Sequence, residues 1–380
     1  MAGIYIHIPY CKQACYYCNF HFSTNTKSSP ELLQAILQEI EMRKHELNNQ
    51  SIQTIYFGGG TPGILPSDDI KKIMHAIEDN FIVEKNIETT LEVNPDDMHP
   101  QKLKAYLDIG INRLSVGTQS FFEEDLQYMN RSHDAKAAAR CVQEAQDTGF
   151  NNISVDLIYG FPLLTNEKWK QNINTALALQ ITHLSCYAMT VEVRTALEKM
   201  IRTEKLPPIN HAQSAEQFEW LMHATEDAGW EHYEISNFAK PNHRAVHNTN
   251  YWLGKHYLGI GPSAHSFDGS SRSWNIANNA LFIKSIEEHI LPSEKEILTL
   301  HQQINEYIMT SLRMSDGMLL QKIKPHVSPA EWQLFCEELE KNNALLNIPS
   351  NYQTNEGAII TLNNKGKLYA DRIAGDLFVG

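Results

Sequence analysis

The chain has 380 residues, 42% hydrophobic and 20% charged, which is typical of a globular protein with room for about two domains. The formal net charge of −13 argues against a broad basic surface for phosphate backbones, so no nucleic-acid partner is expected. No apolar run approaches the roughly 18 residues of a membrane span, and the first residues do not resemble a signal peptide. We therefore expect a cytoplasmic protein without structural disulfides.

Short β-branched and aromatic runs alternate with longer amphipathic stretches in the first half of the chain. Strands that are apolar along almost their whole length, alternating with helices, indicate parallel βαβ units. Six such units suit an α/β fold with a partial, open (β/α)6 barrel, and an open doubly wound sheet is the alternative. The predicted strands are 4–8, 54–58, 89–93, 113–117, 153–159 and 183–188, and the predicted helices are 30–46, 67–79, 101–109, 135–148 and 166–179.

The second half changes character twice. A helix over 213–228 follows the Pro207-Pro208 break, and an aromatic and His-rich region with few helical features comes next. From residue 298 the pattern predicts a small, mainly helical domain of winged-helix type. Its predicted elements are helices 302–314, 329–342 and 366–378 and a strand at 358–362. We expect a barrel domain over 1–230, an aromatic and His-rich extension and linker over 231–297, and the C-terminal helical domain over 298–380.

Three cysteines lie within eight positions directly after the first strand, in Cys11-Lys-Gln-Ala-Cys15-Tyr-Tyr-Cys18. An odd number of thiols cannot all pair as disulfides, and both zinc and iron–sulfur clusters take thiolate ligands. A cubane normally uses four cysteines, so three would leave one iron open for a ligand. The alternative is a zinc site completed by His7 or His21, although the second pair of cysteines that such sites commonly use is absent from the sequence.

The CxxxCxxC spacing resembles the signature of the radical S-adenosylmethionine (SAM) superfamily. The wider string Tyr5-Ile-His-Ile-Pro-Tyr-Cys11 is similar to the branch that contains oxygen-independent coproporphyrinogen III oxidase and a group of heme chaperones. The resemblance implies a [4Fe–4S] cluster on the three cysteines, with its open iron chelated by the amino and carboxylate groups of SAM. Reduction of such a cluster would cleave the sulfonium to a 5′-deoxyadenosyl radical.

Unusual residues fall at the ends of the predicted strands, where βα barrels gather functional groups. The second strand ends in Gly58-Gly-Gly-Thr-Pro62, which permits close backbone approach to a polar ligand, although alone it could be a turn. It resembles the superfamily's methionine-amine motif. A carboxylate in an apolar strand is costly unless it is paired, as at Glu92 and Asp156. Arg131 is the candidate partner of Asp156, and a purely structural ion pair is the alternative.

The resemblance assigns SAM contacts residue by residue. It leaves open whether one or two SAM molecules bind. The implied contacts are Tyr5, Tyr17, Gly59, Gly60, Thr61, Glu92, Gln119, Arg131, Asp156 and Ala188.

Three features favour the chaperone group over the oxidase. The oxidase carries a fourth cysteine where this chain has Phe20, and we expect the oxidase's N-terminal extension to be absent because four residues precede Tyr5. The string His247-Asn-Thr-Asn-Tyr251-Trp252 fits the HNxxYW pattern of the chaperones. An imidazole beside two large aromatic rings could meet a flat, iron-bearing ligand. His247, Tyr251 and Trp252 are therefore the heme-binding candidates.

The expected function is that of a heme chaperone which passes heme to hemoproteins such as respiratory cytochromes, with transient contact with the cytoplasmic membrane. The alternative is an anaerobic coproporphyrinogen III oxidase of heme biosynthesis, which the loss of the fourth cysteine disfavours. A radical enzyme acting on an unrelated substrate is a third interpretation. The sequence leaves open whether SAM is cleaved and whether the chain forms a homodimer.

Overall fold

Strands and helices alternate through the first half of the computed structural model, which describes residues 1–355 and 357–380. The six predicted strands and five predicted helices are confirmed, and α4 and α7 are additional short helices. The elements are β1 (Ala2–Ile8), α1 (Ser29–Met42), β2 (Ile52–Gly59), α2 (Ser67–Asn80), β3 (Val83–Val93), α3 (Pro100–Ile109), β4 (Arg113–Gln119), α4 (Glu123–Met129), α5 (Ala135–Thr148), β5 (Ile153–Tyr159), α6 (Asn166–Ala178), β6 (His183–Ala188) and α7 (Ala196–Arg202).

Strands β1 to β6 are parallel neighbours in strictly sequential order. A doubly wound sheet would reverse its strand order at a switch point, so that alternative is wrong. Apolar side chains such as Ile4, Ile6 and Leu91 are fully buried on these strands, in one hydrophobic cluster with the inner faces of the helices. The result is the predicted partial barrel, whose carboxyl strand ends all lie at the same mouth.

The segment 231–297, expected to be an extension and linker, widens the barrel sheet at both edges. Strands β7 and β8 pair antiparallel beyond β6, while β9 pairs parallel with β1 and leads to β10, β11 and β12. These strands have three to five residues each, too short for a clear apolar pattern. The elements after α7 are α8 (His211–Asp227), β7 (Glu231–Glu234), β8 (Asn237–Ala239), α9 (Val246–Trp252), β9 (His256–Ile260), β10 (His265–Phe267), β11 (Ser271–Asn275), α10 (Asn279–Glu287) and β12 (Ser293–Ile297).

A second hydrophobic cluster draws its buried members from residues 304 to 379. Capping boxes at Thr299 and Ser328 fix the starts of its two long helices. A small antiparallel sheet accompanies the helices, in the order β13-β15-β14, and the predicted helix 366–378 is split in two. The elements are α11 (Leu300–Leu312), β13 (Met318–Leu319), α12 (Pro329–Lys341), β14 (Leu346–Asn347), β15 (Ile359–Leu362), α13 (Asn364–Lys367) and α14 (Ala370–Asp376).

Across residues 1–355 and 357–380, no helix is both long enough and apolar enough to cross a bilayer.

Candidate functional site

A cavity of about 470 Å³, called the mouth cavity below, opens at the carboxyl ends of β1 to β6. The three clustered cysteines line it from the loop after β1, and the glycine turn after β2 forms part of its floor. Nine of the ten positions predicted to contact SAM line the same cavity; Tyr5 does not, and lies in a second cavity described below. The nine are Tyr17, Gly59, Gly60, Thr61, Glu92, Gln119, Arg131, Asp156 and Ala188.

The cysteine loop is held by polar contacts from the opposite wall. Thr61 Oγ1 lies 3.8 Å from Cys11 Sγ, and Arg131 Nη1 donates to Cys15 Sγ at 3.2 Å. Burial raises the pKa of the Cys11 thiol to about 11 and also raises that of Cys18. Loss of these protons therefore needs a compensating cation, which iron or zinc would provide.

The zinc alternative conflicts with the placement of the histidines. Neither His7 nor His21 lines the mouth cavity, into which the three cysteines face. His7 Nε2 contacts the His21 carbonyl at 3.0 Å, and His21 Nε2 contacts Asn279 Oδ1 at 2.7 Å. Among the residues that the structure describes, no three His, Cys, Asp or Glu side chains converge on a single metal position. A cubane takes each cysteine on a different iron, so the donor set fits a cluster better than one zinc ion.

The glycine turn brings the backbone unusually close to the strand β1 loop. Gly59 adopts a φ of +112°, in the region that favours glycine. A Cβ on Gly60 would lie 2.6 Å from the carbonyl oxygen of Tyr10, so any side chain there would collide with backbone. The turn thus exposes main chain to the cavity, where its polar groups can meet a ligand.

Two carboxylates face the cavity, and neither forms a salt bridge with any residue in 1–355 or 357–380. Glu92 Oε1 accepts from the Tyr56 hydroxyl at 2.7 Å, and Glu92 Oε2 accepts from the Gly59 amide at 3.2 Å. Burial, partly offset by the Tyr56 hydrogen bond and reinforced by the charge of Asp156, raises the pKa of Glu92 to about 7. The pKa of Asp156 is also raised by burial. A cationic ligand would relieve the cost of both charges.

The predicted ion pair between Arg131 and Asp156 is wrong. Asp156 accepts hydrogen bonds from the hydroxyls of Ser115 at 2.9 Å and Ser154 at 3.1 Å. The Arg131 guanidinium instead donates to Asn94 Oδ1 at 2.5 Å, besides its contact with Cys15. Hydroxyl donors satisfy the buried carboxylate without a cation, so the arginine is free to face the cysteine loop.

Sequence reasoning missed several cavity residues whose positions follow from strand register. Ser115 pairs with Glu92 across β3 and β4, and Ser185 pairs with Asp156 across β5 and β6. Tyr56 and Asn94 also line the cavity. Aligning the strand ends with one another would have found the serines, because residues in register on adjacent strands share a face.

A second cavity of about 740 Å³, called the lateral groove below, lies between the β1–β9–β10 part of the sheet and α11. Asn19 and Phe20 line both cavities, and Phe20 is 69% exposed. The groove therefore adjoins the segment that directly follows Cys18. Its aromatic lining comprises Tyr5, Phe20, Tyr251, Trp252, Tyr257, Phe267 and Tyr307.

The three heme candidates separate in the structure. Tyr251 and Trp252 line the lateral groove, but His247 lines neither cavity. The His247 imidazole is buried, with Nδ1 2.7 Å from Thr54 Oγ1 and Nε2 2.9 Å from the Tyr251 hydroxyl. Both ring nitrogens are thus engaged inside the barrel wall, and His247 faces neither cavity in this structure. This histidine braces α9 against β2.

Comparison with known proteins agrees with this architecture. Residues 5–176 match the family described as the Radical SAM superfamily. The chain is 35% identical over 321 residues to heme chaperone HemW of Bacillus subtilis (strain 168), covering 84% of this chain and 85% of that protein. It is 28% identical over 380 residues to heme chaperone HemW of Mycobacterium tuberculosis (strain ATCC 25618 / H37Rv), covering 99% and 94%.

A solved structure shares the fold along almost the whole chain. It is the coproporphyrinogen III oxidase (HemN) of Escherichia coli, described as a radical SAM enzyme. The TM-score is 0.85 at 22% identity, over 99% of this chain and 90% of that chain. At this identity the likeness establishes the fold, including the C-terminal part.

Proposed function

Because the chain belongs to the HemW family of the radical SAM superfamily, we propose that it binds heme and delivers it to hemoproteins. The observation that carries the proposal is the 35% identity to the Bacillus subtilis heme chaperone over 84% of the chain. Respiratory cytochromes are the recipients that we propose, which implies a cytoplasmic protein in transient contact with the membrane.

We also propose that the mouth cavity holds a [4Fe–4S] cluster on Cys11, Cys15 and Cys18. The three thiols, with the guanidinium of Arg131 beside Cys15, suit an anionic cluster held close to a positive charge. Three protein ligands would leave one iron open for a further ligand. When bound, such a cluster supplies a site for SAM and an electron for cleaving its sulfonium.

SAM itself suits the remaining lining of the mouth cavity. Glu92 and Asp156 provide negative charge for a ligand that carries a sulfonium and an ammonium group. The backbone at Gly59 and Gly60 leaves room for the polar end of the ligand. Arg131 and Asn94 hold each other in place and fix another part of the cavity lining. These residues bind and orient SAM whether or not the protein cleaves it.

The oxidase is the alternative function, and Phe20 argues against it. This benzyl side chain occupies the position of the oxidase's fourth cysteine and offers neither a thiol nor a proton. It stands exposed between the mouth cavity and the lateral groove. An apolar ring there suits contact with a flat apolar ligand rather than acid–base chemistry.

One anaerobic experiment separates these functions. Protein with a reconstituted cluster receives SAM, a reductant and coproporphyrinogen III in one sample, and hemin in another. We expect a saturable change in the hemin spectrum and no protoporphyrinogen. Formation of protoporphyrinogen would overturn the proposal in favour of the oxidase. Formation of 5′-deoxyadenosine stimulated by a metabolite that is not a tetrapyrrole would favour the third interpretation.

A further inference from the structure

We propose that heme binds in the lateral groove and that His265 is the protein ligand of its iron. This inference rests on the proposed heme-binding function and assigns it a site outside the HNxxYW histidine. The groove, the free imidazole and the shared wall with the cysteine loop each support it.

The groove has the size and lining that a tetrapyrrole requires. Its volume of about 740 Å³ falls within the range of about 300–1,000 Å³ of small-molecule sites. Phe20, Trp252, Tyr257 and Phe267 supply aromatic surface from the loop after β1, α9, β9 and β10, respectively. Aromatic side chains pack well against the face or edge of a flat ring, so these walls suit a macrocycle.

His265 is the histidine of the groove that is free to bind a metal. It is an exposed residue at the start of β10, and within residues 1–355 and 357–380 its imidazole makes no hydrogen bond. His7 and His21 also line the groove, but both are engaged in hydrogen bonds. Partial burial and the nearby Arg272 lower the pKa of His265, which favours the neutral imidazole that ligates metals.

The groove is also equipped for the carboxylate edge of heme. Among the described residues that line it, Arg272 is the one side chain with a permanent positive charge. Arg272 Nη2 forms a salt bridge of 2.8 Å with Glu306 on α11. A heme propionate would compete with Glu306 for this guanidinium, so entry of heme would loosen a contact between the sheet and the C-terminal domain.

The segment that directly follows the cysteine loop connects the lateral groove with the mouth cavity. Asn19 and Phe20 follow Cys18 directly and line both cavities. A ring bound beside Phe20 therefore touches the segment that carries the third cysteine. Through this segment, heme in the groove and a ligand in the mouth cavity can influence each other without sharing a site.

The test is titration of the full-length protein with hemin and, separately, with metal-free protoporphyrin IX. We expect His265→Ala to weaken hemin binding by about tenfold or more and to remove the spectrum of an imidazole-ligated iron. Binding of metal-free protoporphyrin should stay unchanged, because it depends on the walls alone. Added imidazole should restore the ligated spectrum. His75→Ala, which removes an exposed histidine of α2 outside both cavities, is the matched control.

The outcomes distinguish the site from the function. If wild-type protein bound no hemin, the proposed function would fail together with the site. If wild type and His265→Ala bound hemin equally and with the same spectrum, the function would stand and the site would be refuted. Loss of both hemin and protoporphyrin binding in the variant would show that His265 shapes the groove rather than ligating iron, which also refutes the proposal.

Discussion

Replacing Glu92 by Gln tests whether the negative charge of this carboxylate contributes to SAM binding in the mouth cavity. The pKa of this carboxyl is raised to about 7, so roughly a tenth of it is ionised at pH 6 and roughly nine-tenths at pH 8. If the ionised form binds the cationic end of SAM, wild-type affinity should be about tenfold higher at pH 8 than at pH 6. Gln has no charge to contribute and should bind about 10- to 100-fold more weakly at pH 8, as expected for a lost hydrogen bond to a charged group.

The assay is calorimetric titration of cluster-reconstituted protein with SAM at several pH values between 6 and 8. The amino group of SAM also titrates near this range, so the difference in slope between wild type and Glu92→Gln isolates the carboxylate. Glu84→Gln is the matched control, because Glu84 is an exposed carboxylate on the same strand and lies outside the cavity. Equal affinities and equal pH slopes in wild type and Glu92→Gln would refute the reasoning.

Two further substitutions probe the barrel. Gly60→Ala would place a methyl group 2.6 Å from the Tyr10 carbonyl oxygen. We expect the free energy of unfolding, measured by urea denaturation, to fall by about 1–3 kcal/mol and the iron content after reconstitution to fall as well. Gly375→Ala is the control and should be neutral or stabilising, because a Cβ there meets no atom within 4 Å. His247→Ala removes a buried imidazole and its hydrogen bond to Tyr251, so it should lower the free energy of unfolding by about 2–4 kcal/mol. A change below about 0.5 kcal/mol, roughly the effect of a surface substitution, would contradict the role of His247 in holding α9 against β2.

The barrel strands could be predicted because their apolar runs are local signals of burial on both faces. The mouth residues could be predicted because parallel strands end at one edge, which brought residues as distant as Gly60 and Asp156 to one cavity. Ser115, Ser154 and Ser185 are ordinary strand residues, so a search for unusual residues does not find them. Strand register brings Ser115 and Ser185 to the Asp156 carboxylate, and Ser154 lies two residues before Asp156 on β5.

Helix α9 shows how a distant partner positions the HNxxYW segment. Its two asparagines and β-branched residues are weak helix formers, so the segment carries little local signal of a helix. The Glu88 carboxylate of β3 accepts hydrogen bonds from the Val246 and His247 amides, each at 2.9 Å, and thereby caps the helix. This partner lies more than 150 residues earlier in the chain. Its contact fixes His247 inside the wall, away from both cavities.

Transfer of heme to a recipient tests the central claim most directly. Heme-loaded protein is mixed with the apo form of a respiratory cytochrome in the presence of an excess of a heme scavenger, and both acceptors are followed optically. We predict that the cytochrome fills faster than heme dissociates spontaneously into the scavenger. If all the heme went to the scavenger at the rate of spontaneous release, the protein would not be acting as a heme chaperone.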